Sequence, residues 1–267
     1  MISYLTSKKF LLKMADRKLG KLKNIIKKQG SVVVAFSGGV DSSVLAAVSY
    51  KILGDKALAV TLDSPTMPRS ELECAKKTAR GIGIKHIILK HNELSNPDFK
   101  SNPKDRCYFC KYELVKVLSC VAEWEGFNSV LEGTNASELS GHRPGFRALR
   151  EAGVLSPLAD AAYTKEEVRL LARKFGLPNS DKPQSACLSS RIPYGEKITK
   201  RKLLKVELAE ECIKSFGVKQ LRVRVHKDVA RVEVEPKDFE KILKNREKIA
   251  KRLKEIGFKY VTLDVLG

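Results

Sequence analysis

The stretch Ser31–Ser43, SVVVAFSGGVDSS, decides the fold. Its first six residues, SVVVAF (31–36), form the unbroken β-branched run of a strand buried on both faces. Gly38 and Gly39 then permit a tight turn and a close approach of backbone to a ligand. Helical spacing follows through SSVLAAVSYKIL (42–53). A buried strand, a glycine turn and a helix start in that order aim backbone N–H groups and the positive helix end at an anion. The Ser42 and Ser43 hydroxyls stand beside them. The GK[ST] ending of a Walker A loop is missing, so the phosphate loop is of another kind. A bare strand–turn–helix joint would need the glycines but neither the two hydroxyls nor Asp41.

Working outward, strand and helix alternate: strand ALAVTL (57–62), helix 69–80, strand HIILK (86–90), helix 108–125 and strand NSVLEGT (128–134). Such alternation predicts a parallel sheet covered on both faces. An irregular stretch, 135–160, precedes the helix 164–176, where Thr164 and Glu167 have capping-box spacing. LPNSDKPQSACLSSRIPYGEKI (177–198) has three prolines and no helical period, and reads as loop. The remainder reads as an αββαβ unit: helix 200–216, strands 220–226 and 229–235, helix 237–256 and strand 260–265. The expected organisation is an N-terminal helix in 1–30, an α/β domain over 31–198 and a small α+β domain over 199–267.

The 267 residues, 43% of them apolar, suffice for two buried cores and exclude disorder as the main state. No run approaches the ~20 apolar residues of a membrane span. The N-terminal segment has lysines where a signal peptide needs an apolar core, so a cytoplasmic location without a membrane partner is expected. Lys plus Arg number 51 against 31 acids, a net charge of +20 that favours polyanionic partners. The excess is spread along the chain without an arginine–aromatic tract. A solvated lysine-rich surface accounts for it equally well, and nucleic acid is the disfavoured partner.

In a reducing compartment the six cysteines are expected as thiols. Cys74, Cys120 and Cys212 fall in helical patterns beside apolar residues and read as packing. Cys107 and Cys110, in DRCYFCK (105–111), stand one helical turn apart at a helix start, where the helix end and nearby cations favour thiolate. Cys187, in SACLSSR (185–191), is a third thiol on a loop. A zinc site would want a fourth ligand, and His86, His91 and His142 lack ligand spacing. Three thiolates without a fourth suit a 4Fe–4S cluster with one open iron, and three cysteines without metal are the plain alternative.

SGGVDSS (37–43) resembles the signature of the PP-loop ATP pyrophosphatases. That resemblance implies a doubly wound, parallel five-stranded sheet and cleavage of ATP between its α- and β-phosphates. It also places Thr61, at the end of the second strand, near the nucleoside, with Glu132-Gly133-Thr134-Asn135 facing the same crevice. SGGVDSS, RCYFCK, EGTN, GHRPGFRALREAGVLSPL and ACLSSRIPYG together resemble the LarE family of sulfur transferases over nearly the whole chain. The resemblance implies ATP- and Mg²⁺-dependent adenylation of both carboxylates of pyridinium-3,5-biscarboxylic acid mononucleotide and their conversion to thiocarboxylates for the nickel-pincer cofactor. One branch of the family sacrifices the cysteine corresponding to Cys187. The other holds a 4Fe–4S cluster on three cysteines, and the presence of Cys107, Cys110 and Cys187 resembles that branch.

The expected phosphate-binding residues are Ser37, Gly38, Gly39, Asp41, Ser42 and Ser43, with Gly133 and Thr61 nearby. Asp41 reads either as a participant in Mg²⁺ organisation or as a helix-start residue. Arg191 reads as a contact to substrate phosphate or AMP, or as a surface arginine. Arg222 and Arg224 share one strand face and form a candidate phosphate clamp, or a solvated face. Glu132, Glu233 and Glu235 are candidate Mg²⁺ or substrate carboxylates, and the loop at His142–Gly145 a candidate lid. The expected partners are a small nucleotide substrate and a sulfide source, with a homo-oligomer as the assembly. A tRNA thiolase and an amide-forming ligase are the competing functions. The first is disfavoured by Val40 where cluster-bearing thiolases carry Lys, the second by the three loop cysteines it leaves idle.

Overall fold

The computed structural model describes residues 17–139 and 143–267. The first part of the expected N-terminal helix, 1–16, and His142 lie outside the described residues. The chain divides into two compact units. Among the described residues, the first comprises 17–63, 69–91, 107–139 and 143–182, and the second 64–68, 92–106 and 183–267.

In the first unit, helix α1 (17–27) leads into β1 (Val32–Ala35), α2 (Val40–Leu53), β2 (Ala57–Asp63), α3 (Arg69–Ile82) and β3 (Lys85–Lys90). The sheet is parallel, in the order β3-β2-β1-β4, with β4 at Ser129–Leu131. A fifth strand was expected. Leu155 instead adds a single parallel bridge at the β4 edge, donating to Val130 O and accepting from Glu132 N. The order reverses at β1, whose neighbours β2 and β4 flank it on either side, and in open α/β sheets ligands bind beyond the carboxyl ends of the strands at such a point.

Residues of alternate parity face opposite sides of the sheet. Val33, Leu58, Val60 and Val130 form one face and bury against Val115, Leu118 and Ala122 of α5 (Arg106–Glu125) and Leu149 of α6 (Pro144–Glu151). Burying each such side chain contributes about 1.5–3 kcal/mol. The helices α6 and α7 (Pro157–Asp160) occupy the stretch read as irregular. Pro144 and Pro157 there begin helices, at the position where a missing N–H costs nothing. The α8 helix (Lys165–Lys174) opens with the expected capping box: Thr164 Oγ1 accepts from Glu167 N, and the Glu167 carboxylate from Thr164 N.

The second unit holds α4 (Pro97–Lys100), α9 (Lys200–Lys214), β5 (Leu221–His226), β6 (Val229–Val234), α10 (Phe239–Lys244), α11 (Arg246–Ile256) and β7 (Tyr260–Leu263). β5 and β6 are antiparallel, joined through Lys227 (φ +54°) and Asp228, and β7 is parallel to β6. Leu221, Val223, Val225, Ala230, Val232 and Val234 are all buried. The helix expected over 237–256 is interrupted at Asn245. The contiguous boundary expected at 198/199 also differs from the observed division, because loop 183–198 is knitted to 92–106. Buried Asn102 donates through Nδ2 to the carbonyls of Ile192, Pro193 and Glu196, at 2.7–3.2 Å. Its own carbonyl accepts from Gly195 N.

Candidate functional site

The loop Ser37–Gly39 leaves β1 and enters α2. Gly38 has φ +71°, and a Cβ there would lie 2.7 Å from Ala75 Cα of α3, so the position admits no side chain. Gly39 is extended (φ −75°) and tightly approached only by Ser37 Oγ. The first main-chain bond of the helix runs from Ser43 N to Gly39 O. The N–H groups of Val40, Asp41 and Ser42 therefore have no carbonyl a turn earlier to bond, which is the anion-binding property of a helix start.

The hydroxyls divide in role. Ser37 is exposed, with its Oγ 3.2 Å from Ser42 Oγ, and Ser42 Oγ donates to Gly39 O. Ser43 is fully buried: it donates to Gly39 O and accepts from Asn179 Nδ2, both at 2.8 Å. Its hydroxyl is committed to the loop's own scaffold. Gly133, after β4, packs on the start of α2, where a Cβ would stand 2.9 Å from Ser42 N. Glu132 is buried and accepts from Thr134 N, Thr134 Oγ1 and Ser156 Oγ, an engagement that shapes the Gly133 turn.

Asp41 joins three segments. Its Oδ1 accepts from Asn135 Nδ2 at 3.0 Å, and its Oδ2 pairs with the Lys165 ammonium at the start of α8. Burial, and then the neighbouring Asp41 carboxylate, raise the Glu138 carboxyl above its ordinary range. Thr61 is buried at the end of β2. Its hydroxyl donates to Phe36 O at 2.6 Å and meets His86 Nε2 at 2.8 Å. Thr61 thus fixes the residue before the loop. The His86 imidazole is held below its ordinary pKa by burial and by nearby Lys76.

Cys107 and Cys110 lie on the first turn of α5, the first exposed and the second half-buried. The start of α6 approaches them closely: a Cβ on Gly145 would lie 3.3 Å from Cys107 O and 3.1 Å from Lys111 Cγ. Tyr108 donates to Glu151 at 2.6 Å while the Arg147 guanidinium lies over its ring, which fastens α6 to α5.

In the second unit Cys187 is exposed, its Sγ 3.0 Å from Ser189 Oγ. Arg191 lies beneath it, 4% exposed. Its guanidinium pairs with Glu210 through Nε (2.7 Å) and Nη2 (3.2 Å), and Nη1 donates to the carbonyls of Ala186 and Cys187. Glu210 also accepts from Val223 N of β5, so a buried pair suspends the cysteine loop from the small sheet. Arg222 is exposed, whereas Arg224 donates to Ser190 O and pairs with Glu233, as does Arg231. Burial opposes ionisation of Glu233, but bonds from the two guanidiniums overcome it and hold its carboxyl below the ordinary range. Glu235 pairs with Lys237. Among the described residues, no three His, Cys, Asp or Glu side chains assemble into a group that could hold a metal ion. No described helix is long and apolar enough to cross a membrane.

Lys165 and Asn179 were not singled out in the sequence. In the sequence Lys165 simply follows Thr164 in the helical run, and Asn179 is one of several polar residues between Pro178 and Pro183. Only the folded contacts reveal either.

Comparison with known proteins fits this arrangement. Residues 15–104 match the NAD synthase family. A glutamine-hydrolysing GMP synthase subunit of Methanococcus maripaludis is 32% identical over 55% of this chain and 50% of its own length. An uncharacterised protein of Synechocystis sp. is 41% identical over 95% of this chain and 96% of its own length. The pyridinium-3,5-bisthiocarboxylic acid mononucleotide synthase of Lactiplantibacillus plantarum is 35% identical over 88% of this chain and 86% of its own length. The kinship with the GMP synthase subunit covers about half of the chain, whereas that with the thiocarboxylate synthase extends over both the loop and the thiol-bearing segments. The chain therefore belongs to the LarE family of ATP-dependent sulfur transferases, within the PP-loop ATP pyrophosphatases.

Proposed function

We propose that this protein adenylates the carboxylates of pyridinium-3,5-biscarboxylic acid mononucleotide and converts them to thiocarboxylates for nickel-pincer cofactor synthesis. The observation that carries the reading is the near full-length relationship to the L. plantarum synthase, combined with a loop whose backbone is shaped for pyrophosphate. A carboxylate oxygen attacks the α-phosphorus of ATP, and pyrophosphate leaves into the cradle of Val40, Asp41 and Ser42 N–H groups. Sulfide then attacks the acyl carbon and AMP leaves with the oxygen. Adenylation is needed because a carboxylate oxygen is a poor leaving group. Asp41 stands where a carboxylate can organise the Mg²⁺ of the nucleotide, with Lys165 and Asn135 fixing its orientation. Arg191 acts as a positioning residue for Cys187, and Arg222 with Arg224 contributes positive charge for the substrate phosphate.

The donor chemistry of Cys107, Cys110 and Cys187 fits an iron–sulfur cluster: all are free cysteines, and the first two stand three residues apart at the start of α5. A 4Fe–4S cluster bound there would supply an open iron position for exchangeable sulfide. Cys107 and Cys110 belong to the first unit and Cys187 to the second.

The test is anaerobic incubation with ATP, Mg²⁺, sulfide and the biscarboxylate mononucleotide, read by mass spectrometry of product and protein. Gain of sulfur by the product with Cys187 intact is the expected result. Loss of the mass of H₂S from the protein identifies sacrifice of Cys187 instead. Absence of any thiocarboxylate product removes the proposal.

A further inference from the structure

We infer that Asn179 is a positioning residue for the pyrophosphate loop, holding the Gly38 carbonyl out of the phosphate cradle. Asn179 is 3% exposed, and its Nδ2 donates at 2.8 Å both to Gly38 O and to Ser43 Oγ. The orientation of the amide is fixed by its neighbours. Gly38 O can only accept, so the atom facing it must be the nitrogen. Asn179 Oδ1 then points away, buried and without a protein partner. A buried orphan acceptor costs about 1–3 kcal/mol, which marks the two donated bonds as the reason for an amide here.

The geometry gives these bonds a consequence. At φ +71° the Gly38 peptide is free to rotate in ways that β-branched neighbours are not. Rotation of its carbonyl toward the cradle would set a negative dipole against the pyrophosphate oxygens. Asn179 opposes that rotation, and it also fixes Ser43, whose hydroxyl in turn donates to Gly39 O. The asparagine is itself held firmly. Arg169 of α8 donates to Ser180 O and Lys182 O, and the Lys182 ammonium reaches Glu71 of α3 at 2.7 Å. A segment pinned from two helices presents one amide to the back of the loop.

The inference rests on the reading of the loop as a pyrophosphate holder, and the test separates the two. The full chain is titrated with inorganic pyrophosphate and, separately, with AMP, both with Mg²⁺, as the unmutated protein and as Asn179→Ala. Loss of two neutral hydrogen bonds predicts pyrophosphate binding weakened roughly tenfold or more, with AMP changed less than about twofold, because AMP carries no β-phosphate. Unchanged pyrophosphate affinity, or equal weakening of both ligands, overturns the inference. Absence of pyrophosphate binding by the unmutated protein overturns the reading of the loop as well. If Asn179→Ala does not fold, the isosteric Asn179→Asp is titrated against pH. A protonated carboxyl can again donate to Gly38 O, so pyrophosphate affinity relative to the unmutated protein recovers on acidification, and no recovery overturns the inference.

Discussion

Asp41 of the phosphate loop is bound to Lys165, 124 residues later, by an ion pair at the first turn of α8. The pair is partly buried, and Asn135 completes the shell of the carboxylate. One carboxylate therefore ties the start of α2, the turn after β4 and the start of α8 together. Lys165→Met removes the cation paired with Asp41 and leaves that carboxylate with Asn135 alone. ATP affinity is expected to fall about tenfold, and stability by about 1 kcal/mol, since partly exposed pairs contribute little. Calorimetric titration with ATP–Mg²⁺ alongside urea unfolding checks both, and a variant that binds ATP normally would show Lys165 to be uninvolved.

The two loop glycines differ in their tolerance. Gly38→Ala places a Cβ 2.7 Å from the backbone of Ala75 at a positive φ, and a loss of about 2–5 kcal/mol is expected from conformational strain and overpacking. Gly39→Ala meets only Ser37 Oγ at 3.3 Å in an extended backbone, and less than about 1 kcal/mol is expected. Urea denaturation of the two variants side by side gives the comparison. Equal losses would contradict the loop geometry.

Arg191→Met strands Glu210, which is as buried as the arginine. Breaking such a pair from one side costs about 3–5 kcal/mol, and Arg191→Lys is expected to rescue poorly because one ammonium cannot replace a bidentate fork. The loop carrying Cys187 loses two carbonyl anchors at the same time. Faster alkylation of Cys187 in Arg191→Lys, measured under folded conditions, reports that release. An unchanged rate would mean the loop holds itself.

His86 gives a pH dependence with a definite sign. Thr61 Oγ1 spends its proton on Phe36 O, so His86 Nε2–H is the donor to Thr61. Its folded pKa lies below the ordinary 6.5, so the unfolded chain takes up the proton first. The stability contributed by the neutral ring is complete above that value and declines as pH falls toward the folded pKa. His86→Gln is expected to flatten this part of the stability–pH curve. An identical slope in the variant would assign the effect to other groups.

The residues around SGGVDSS, the alternating pattern and the capping box at Thr164 were enough to determine an α/β unit with a phosphate loop and a small α+β unit after it. These features are local: a buried strand, a glycine turn and an amphipathic period each express the preferences of neighbouring residues. The motifs EGTN and RCYFCK stand out for the same reason, as short runs of adjacent residues. Tertiary packing alone decided that α6 and α7 form behind prolines, that a bridge at Leu155 replaces a fifth strand, and that 64–68 and 92–106 join the C-terminal unit. It also decided the polar partners within each unit. Asp41 with Lys165, Gly38 with Asn179 and Arg191 with Glu210 are separated by 124, 141 and 19 residues. Contacts at such separations depend on where the packed sheets and helices bring polar groups out of water, and no periodicity encodes that.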